Sequence, residues 1–465
     1  MRNRFTLAAM LAASMGWGTA SAQKHHEAYP PDTVQVNSVQ EVFTKGTVHG
    51  HVRNYFMATW NHRELSDNYA NAIGAEIAYK TARFHGFRVG FAGLFTYNLF
   101  SSGMAHRDPI TGTHPKLELE LFDVEDPENK ADLDRLDELY LEYKAEWLHA
   151  KAGRFSFTSP LMNPQDTRMK PYSFQGISLQ FPVREKTLLT LAWFDHFSPR
   201  STVEWFKAGA SIGTFSAGVD AQGNPSGYPH HTSTKGVAVT GLQVNSDAAQ
   251  PGIHAEVWNY WIENVANTSY GRTTIELAPQ VKAGIEGLYQ VQAGNGGNPE
   301  EALAYFPDQH QWLVGSQLAY ETGTWNVSLN YLHIGGEGHF LFPREWGREQ
   351  FFATISRGRM EGTGKSDLLV AKVKKHWSDR LSVEAAASKS WMPGLDNYTH
   401  NKYGAVPYIG WLADLNYSPA KPVLKGLNFR LLYVGRTSPG TDLPLKAMYY
   451  TTNFHNLSFI TQLNF

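Results

Sequence analysis

The last ten residues decide the fold, and they read Asn456-Leu457-Ser458-Phe459-Ile460-Thr461-Gln462-Leu463-Asn464-Phe465. Every second residue from Leu457 to Phe465 is apolar except Thr461, and most of the residues between them are polar. Because successive side chains of a β-strand point to opposite faces, this alternation predicts a strand with one apolar face. The pattern fits the closing strand of a membrane barrel, and it also fits a half-buried strand at the end of a β-sandwich.

The same alternation recurs along the whole chain. Trp325, Val327 and Leu329, for example, alternate with Asn326 and Ser328. About eighteen such stretches are present, and each has the length of about 10 residues that a tilted strand needs to cross a bilayer. They begin near residues 50, 70, 85, 137, 147, 174, 187, 235, 252, 270, 281, 311, 325, 366, 381, 407, 426 and 456.

The connections between these stretches alternate in length. Those after odd-numbered stretches are generally long, as at 98–136, 197–234 and 336–365, and those after even-numbered stretches are short, as at 183–186 and 321–324. The exceptions are 61–69 and 263–269, which are only moderate, and 418–425, which is longer than its peers. A sandwich gives no reason for such an alternation, whereas a membrane barrel has short turns at one end and long loops at the other.

The sequence therefore predicts an all-β fold over residues 47–465, namely a transmembrane antiparallel β-barrel of about 18 strands. We expect short periplasmic turns and long extracellular loops, and an even strand number places both termini in the periplasm. The loop of 117–137 carries nine acidic residues. We expect this loop to be external and solvated.

The composition excludes several classes of protein. The chain has 465 residues, with 41 Lys and Arg against 43 Asp and Glu, and it has no Cys. Its mean hydropathy of −0.38 excludes a bundle of transmembrane helices. The absence of Cys excludes disulfides, thiolate metal sites and a Cys nucleophile, and the charge balance gives no case for a nucleic-acid partner.

The N-terminal segment has the features of an export signal. Arg2 and Arg4 precede a short apolar stretch, and Ala20-Ser21-Ala22 is a small-x-small cleavage site. This pattern predicts a secretory signal peptide over residues 1–22 and a periplasmic lead-in over 23–46. The mature chain would start at Gln23, so a lipid anchor on an N-terminal Cys is not expected.

In each predicted strand, we expect the polar residues of the alternating pattern to face the interior of the barrel. A barrel of this size keeps an aqueous channel, and charges on its wall select and orient solutes. Strand parity gives six basic candidates for the pore lining: Arg88, Lys282, Lys372, Lys374, Arg430 and Arg436. Arg154 is a further candidate, although strict counting along its strand points it outward. Each charge can instead pair with a neighbouring strand.

Four regions of the chain resemble the OprD family of outer-membrane porins. The most specific one resembles the inward-folding third loop of that family, and another resembles its seventh-loop segment. The four regions are Ser38–Phe43 with Gly50–Phe56, Leu136–Tyr143 with Lys151–Arg154, Thr158–Asn163 with Asp166 and Arg168, and Phe342–Gly347 with Phe351 and Phe352. Together they span roughly residues 38–465.

The resemblance implies an eighteen-stranded barrel with a narrow channel that prefers certain solutes. Family solutes are small water-soluble nutrients, often amino acids, peptides or carboxylates. A basic ladder on one wall opposes an acidic or polar patch from the loops. The resemblance assigns Arg88, Arg430, Lys372 and Lys374 to the wall. It assigns Asp166, Arg168 and Glu345 to the loops.

The main functional hypothesis is a porin in the bacterial outer membrane for passive diffusion of small hydrophilic solutes, with no catalytic step, cofactor or metal. Expected partners are outer-membrane lipid and lipopolysaccharide, and the barrel-assembly machinery through the strand that ends at Phe465. A monomer or a weak trimer is expected. On this hypothesis Arg430→Ala lowers the preference for anions.

Two alternatives stay open. A barrel-embedded hydrolase needs a nucleophile with a base beside it, and one Gly-x-Ser-x-Gly match occurs at 209–213. That match falls in a predicted loop, without the strand–turn–helix setting of a nucleophile elbow. A surface adhesin would instead use its long loops for binding.

Overall fold

Eighteen antiparallel strands follow one another around a closed β-barrel, and one further short strand lies outside it and pairs with a barrel strand. The computed structural model describes residues 36–165, 167–246, 252–307, 309–440 and 442–465. The predicted fold class is confirmed. The predicted signal peptide and the first part of the lead-in lie outside the described residues, as does Asp166.

The barrel strands occur in chain order, and the outside strand is β8. Their bounds are β1 Thr47–Trp60, β2 Asn68–Lys80, β3 Phe87–Ser101, β4 Arg135–Lys144, β5 His149–Phe155, β6 Ser173–Arg184, β7 Thr187–Ser198, β8 Phe206–Lys207, β9 Val237–Ser246, β10 Ile253–Ile262, β11 Ala266–Ala278, β12 Val281–Gln292, β13 His310–Glu321, β14 Trp325–Gly336, β15 Ser366–Ser378, β16 Leu381–Trp391, β17 Ile409–Tyr417, β18 Leu427–Thr437 and β19 Phe454–Asn464. Every barrel strand begins within four residues of its predicted position.

Helices are few and short in the described residues. The α-helices are α1 Val39–Thr44, α2 Lys116–Leu119, α3 Ala208–Ser211 and α4 Leu445–Met448, and the 3₁₀ turns are Glu301–Leu303, Arg344–Trp346 and Pro422–Leu424. Ser38 caps α1, because its side chain accepts a hydrogen bond from the Glu41 backbone N–H. No helix in the described part of the chain is long and apolar enough to span a membrane.

The barrel closes where its first and last strands pair. Val52 lies opposite Leu463, and Phe56 lies opposite Phe459, in an antiparallel register. The backbone N–H of Gly50 donates to the Phe465 carbonyl over 2.9 Å, and the Phe465 N–H donates back. Closure removes the unpaired strand edges that would otherwise carry unsatisfied backbone groups in lipid.

Long and short connections alternate, as the sequence predicts. We call the end with the short connections the turn side and the other end the loop side. The largest loop-side connections are 102–134, 199–236 and 337–365. The connection predicted at 263–269 is shorter in the structure, because β11 begins at Ala266 and leaves only 263–265 after β10.

The two faces of the strands differ as a membrane barrel requires. Outward positions such as Leu139, Leu318 and Leu329 are exposed apolar residues, whereas their inward neighbours are polar, charged or small. Loop residues pack into the loop-side half of the interior. Trp346 of the 337–365 loop is fully buried there, and its ring stacks on Phe197 at a centroid distance of 4.1 Å.

Candidate functional site

Two loops turn into the barrel and contact each other across its interior. Asn163 of the 156–172 loop donates its Nδ2 to the Arg348 carbonyl over 2.8 Å, and the Gln350 N–H donates to the Pro160 carbonyl over 3.0 Å. Gly347 lies at this contact with φ of 144°, and a Cβ there would lie 2.7 Å from the Leu161 carbonyl oxygen. Only glycine fits this close approach. We call the meeting of these two loops with the 102–134 loop the candidate constriction.

The wall holds the 337–365 loop in place through basic side chains. Lys372 of β15 donates its Nζ to the carbonyls of Phe352 and Thr354 over 2.7 and 2.9 Å. Arg436 of β18 donates its Nη2 to the Arg357 carbonyl over 2.5 Å. These two predicted candidates therefore reach the loop from the wall and fix its depth in the lumen.

One carboxylate is clamped between two arginines in the candidate constriction. Glu120 Oε2 accepts from Arg168 Nη2 at 2.5 Å and from Arg200 Nη2 at 2.8 Å. Burial alone would raise the pKa of Glu120, but Arg200, Arg168 and Lys116 together lower that pKa to about 2. Glu120 is therefore ionised at any physiological pH.

More positive charge surrounds this clamp. Arg357 donates to Ser458 Oγ over 2.9 Å and to the Tyr55 hydroxyl over 3.3 Å, and Arg359 pairs with Glu349 over 3.1 Å. We call the following six residues, which act on Glu120 or on one another, the basic cluster: Lys116, Arg168, Arg200, Arg357, Arg359 and Arg436. Glu118, Glu120, Glu349 and Glu361 lie among them, so the six basic residues outnumber the acidic ones in the part of the chain that the structure describes.

The other strand candidates lie along the wall and are matched by acids. Arg430 donates Nε and Nη2 to the two carboxylate oxygens of Asp414 over 2.9 and 2.7 Å, and Arg88 pairs with Glu142. Two lysines near the turn side are also placed beside acids, namely Lys282 at 2.8 Å from Glu321 and Lys374 at 3.9 Å from Glu384. The structure does not bring these residues into the basic cluster.

Arg154 and Glu345 lie elsewhere than the pore-lining prediction places them. Arg154 pairs in register with Leu139, an outward residue, and its guanidinium lies over the Trp205 ring at 4.6 Å. Arg154 therefore shares the outward side of the sheet with Leu139. Glu345 is buried and accepts the N–H groups of Gly213 and Phe215, so it joins two loops and does not line open space. Burial raises the pKa of the Glu345 carboxyl.

The acidic 102–134 loop also differs from its prediction as a solvated segment. Its α2 region turns into the barrel, where Glu118 is fully buried and accepts from Thr59 Oγ1 over 2.5 Å. Leu117 and Leu119 pack into a buried apolar cluster with Tyr55 and Met57 of β1. Those leucines explain why this part of an otherwise acidic loop leaves the solvent.

Sequence reasoning missed most of the basic cluster because its members lie in loops. Four of them lie in no strand, so alternation along a strand could not predict their positions: Lys116, Arg200, Arg357 and Arg359. A usable signal was present in one case, since the 337–365 loop contains Arg344, Arg348, Arg357 and Arg359 within a short segment. Four arginines in one loop are unusual unless they have buried partners or a ligand.

The Gly-x-Ser-x-Gly match does not form a nucleophile elbow. Ser211 is fully buried, and its Oγ accepts from the Trp346 indole N–H over 2.8 Å and donates to the Ala208 carbonyl over 2.7 Å. No histidine is among these contacts. The described residues also contain no group of three or more His, Asp or Glu placed to hold a metal ion.

Comparison with known proteins gives the same fold at low sequence identity. No protein-family model matches the sequence, and no curated protein matches it either. The structure superposes on OccAB4 of Acinetobacter baumannii with a TM-score of 0.68, 13% identity, and coverage of 94% of this chain and 100% of that chain. OccK3 (OpdO) of Pseudomonas aeruginosa gives a TM-score of 0.64, 14% identity, and coverage of 92% and 97%.

A third similar structure is P. aeruginosa OpdK with vanillate, at a TM-score of 0.64 and 15% identity over 91% of this chain and 99% of that chain. All three cover nearly the full described barrel. The neighbours are OprD/Occ porins, so the family named from the sequence is confirmed at the level of the fold. The chain therefore has the eighteen-stranded fold of the OprD/Occ outer-membrane porins.

Proposed function

We propose that this protein is an outer-membrane porin through which small hydrophilic solutes diffuse passively, with a preference for anions. The observation that carries the proposal is the basic cluster, which surrounds the candidate constriction inside a closed barrel. Charged groups at a narrow passage replace part of the hydration of a solute of opposite sign and repel a solute of like sign.

The proposed transport needs no covalent step. A solute enters from the side of higher concentration, exchanges water for contacts with arginine guanidinium groups, and leaves toward lower concentration. Guanidinium groups suit carboxylates because they offer paired N–H donors in one plane. Several arginines are better for passage than one deep site, because a solute that moves between weak sites is not trapped.

Carboxylates are the solute class that we favour among amino acids, peptides and carboxylates. The excess of positive charge favours an acid over a neutral solute of the same size. One similar structure is OpdK with vanillate, which is itself a carboxylate. Peptides and amino acids that carry a carboxylate stay within the proposed class.

The location follows from the same proposal. We place the turn side and both termini in the periplasm, the loop side outside the cell, and the apolar outer face in the outer membrane with lipopolysaccharide around it. Export by residues 1–22, assembly through the strand that ends at Phe465, and a monomeric or weakly trimeric state are parts of this proposal. So is the absence of an enzymatic activity or cofactor.

The two alternatives find less support. A hydrolase would need an accessible nucleophile, whereas Ser211 is buried and hydrogen-bonded to Trp346. An adhesin would need its loops to point outward, whereas much of the 102–134, 199–236 and 337–365 loops packs inside the barrel. We find no feature of the described residues that favours a hydrolase or an adhesin.

Liposome swelling tests the proposed function. Folded protein is reconstituted into vesicles, which are then placed in isosmotic sodium benzoate or in isosmotic sugar of similar mass. We expect faster swelling in benzoate than in sugar, and no swelling in vesicles without protein. No swelling in any solute, with a folded barrel shown by its heat-dependent gel mobility, would contradict a porin function.

A further inference from the structure

A cavity of about 500 Å³ lies between four loops on the loop side of the barrel. Its lining comes from the 102–134, 199–236, 337–365 and 392–408 loops. The volume is in the range of small-molecule sites, which is about 300–1,000 Å³. It is a space distinct from the clamp around Glu120, which does not line it.

Three cations line the cavity: Lys116, Arg344 and Lys402. Arg344 forms an ion pair with Glu361, so its charge is matched. Lys402 donates its Nζ to Ser226 Oγ over 2.9 Å and to the Val219 carbonyl over 3.4 Å, which are neutral acceptors. The cavity therefore holds two lysine charges that no carboxylate contacts within the described residues.

Lys116 is the group most available to a ligand. It is exposed to the cavity, and its Nζ has no hydrogen bond or ion pair with any described residue. The loops packed around the cavity partly desolvate Lys116, and this desolvation together with the charge of Arg344 lowers the pKa of Lys116 to about 8. The lysine is therefore still mostly protonated at pH 7.

The walls of the cavity are preformed. Tyr403 lies under the Arg344 guanidinium at 3.4 Å, and Tyr398 and Leu395 add apolar surface. Gly362 has φ of 84°, and a Cβ there would lie 2.2 Å from the Tyr403 ring. This glycine allows Tyr403 to pack against the 337–365 loop, so the ring and the cation above it keep fixed positions.

We propose that this cavity is a binding site for a small organic dicarboxylate, held by Lys116 and Lys402 beside the Arg344–Tyr403 stack. Two lysines that no carboxylate contacts favour a dianion over a monoanion, because each charge can then meet a carboxylate directly. The site would collect such anions on the loop side, before the candidate constriction. Its role in transport rests on the proposed porin function, but the binding itself needs no conducting channel.

Isothermal titration of the folded protein in detergent tests the proposal. The probes are succinate, its monocarboxylate counterpart butyrate, and the neutral succinamide. We expect succinate to bind more tightly than butyrate and succinamide to bind weakest. Lys116→Gln should weaken succinate binding about tenfold, because it removes a charge-assisted hydrogen bond. Lys130→Gln is the matched control, since Lys130 is an exposed lysine of the same loop.

Three outcomes of the titrations test whether the cavity binds a dicarboxylate. Tight succinate binding that Lys116→Gln weakens and Lys130→Gln preserves would support the site, even if vesicles with the protein did not swell. Equal affinity of the native chain and Lys116→Gln for succinate would overturn it, as would equal affinity for succinate and succinamide. If either equality were found while vesicles with the protein swelled in benzoate, the porin function would be supported and the dicarboxylate site would not.

Discussion

Arg430 on the barrel wall and Arg168 in the 156–172 loop are both buried arginines beside a carboxylate, yet their surroundings differ. Arg430 meets Asp414 of the adjacent strand through two parallel hydrogen bonds. Arg168 shares Glu120 with Arg200. Lys116 and Arg357 act on the same carboxylate from farther away.

The difference shows how strands and loops place charge. On the wall, neighbouring strands set one basic residue against one acid, and the pair presents little net charge to a solute. In the candidate constriction, separate loops bring like charges together, which costs stability. Arrangements that violate local preferences in this way are most often functional. The loops, and not the wall pairs, should therefore set the ion preference.

We expect the largest effect from a substitution at the contact between the 156–172 and 337–365 loops. Gly347→Ala adds a Cβ 2.7 Å from the Leu161 carbonyl oxygen, at a φ of 144° that other residues avoid. The strain is about 1–3 kcal/mol. We expect the 337–365 loop to move away from the 156–172 loop and the single-channel conductance to rise.

Gly323→Ala is the control for that change. Gly323 lies in the short turn between β13 and β14, and a Cβ there meets nothing within 4 Å. Its conductance should match the native chain. A Gly347→Ala channel with native conductance would show that the contact between these loops does not limit the current.

The clamp around Glu120 should give the next largest effect. Glu120→Gln keeps the shape of the side chain but leaves Arg168 and Arg200 without their shared anion. We expect a stronger anion preference in reversal-potential measurements. We also expect a loss of about 3 kcal/mol in the free energy of unfolding, measured by urea titration of tryptophan fluorescence.

Glu128→Gln removes an exposed acid from the same loop and serves as its control. It should change neither the reversal potential nor the stability. If Glu128→Gln and Glu120→Gln shifted the reversal potential equally, the effect would come from the total charge of the loop and not from the clamp.

The strands could be predicted from the sequence because their signal is periodic. Each strand begins within four residues of its prediction, since an apolar outer face and a polar inner face leave a period of two. The same alternation predicts Arg88, Arg430 and Lys372 on the inner wall, and in the structure these side chains contact Glu142, Asp414 and the 337–365 loop. Parity could not show that Arg430 and Asp414 pair, because that depends on the register between strands.

The loops could not be predicted in this way. The contacts of Arg168 with Glu120 and of Arg348 with Asn163 join segments that are far apart in the sequence. Their conformations depend on packing inside the finished barrel, as the burial of Leu117 and Trp346 illustrates. No local pattern encodes such contacts, and a nine-acid loop therefore looked like solvent-exposed chain.

A pH change should act through the two cavity lysines. Desolvation by the surrounding loops and the charge of Arg344 lower the pKa of both Lys116 and Lys402 to about 8, so both lose their charge as the pH rises from 7 to 9. The groups that act on Lys116 are Arg344, Glu120, Arg436 and Arg359, and those that act on Lys402 are Glu361, Arg344 and Asp220. Glu120, with a pKa of about 2, stays ionised throughout.

We therefore expect the anion preference to fall between pH 7 and pH 9. Reversal potentials at these two values measure it, and Lys116→Gln should show a smaller fall. An anion preference that rose with pH, or a fall of the same size in Lys116→Gln, would exclude Lys116 as the titrating group.

The wall pair should give the smallest effect. Arg430→Gln with Asp414→Asn removes one charge of each sign from adjacent strands, so the net charge of the lumen is unchanged. We expect a native reversal potential. Because Arg430 pairs with Asp414, the loss of anion preference expected for Arg430→Ala would come from the Asp414 charge that this variant leaves without a partner. A large shift in the double variant would mean that wall residues contribute to selection.

The single-channel current of the folded protein in a planar bilayer under a salt gradient shows whether the lumen conducts and which ion it prefers. We expect discrete current steps and a reversal potential whose sign shows anion preference, because the loops place excess positive charge in the lumen. A cation preference, or no steps from protein shown to be folded, would contradict it.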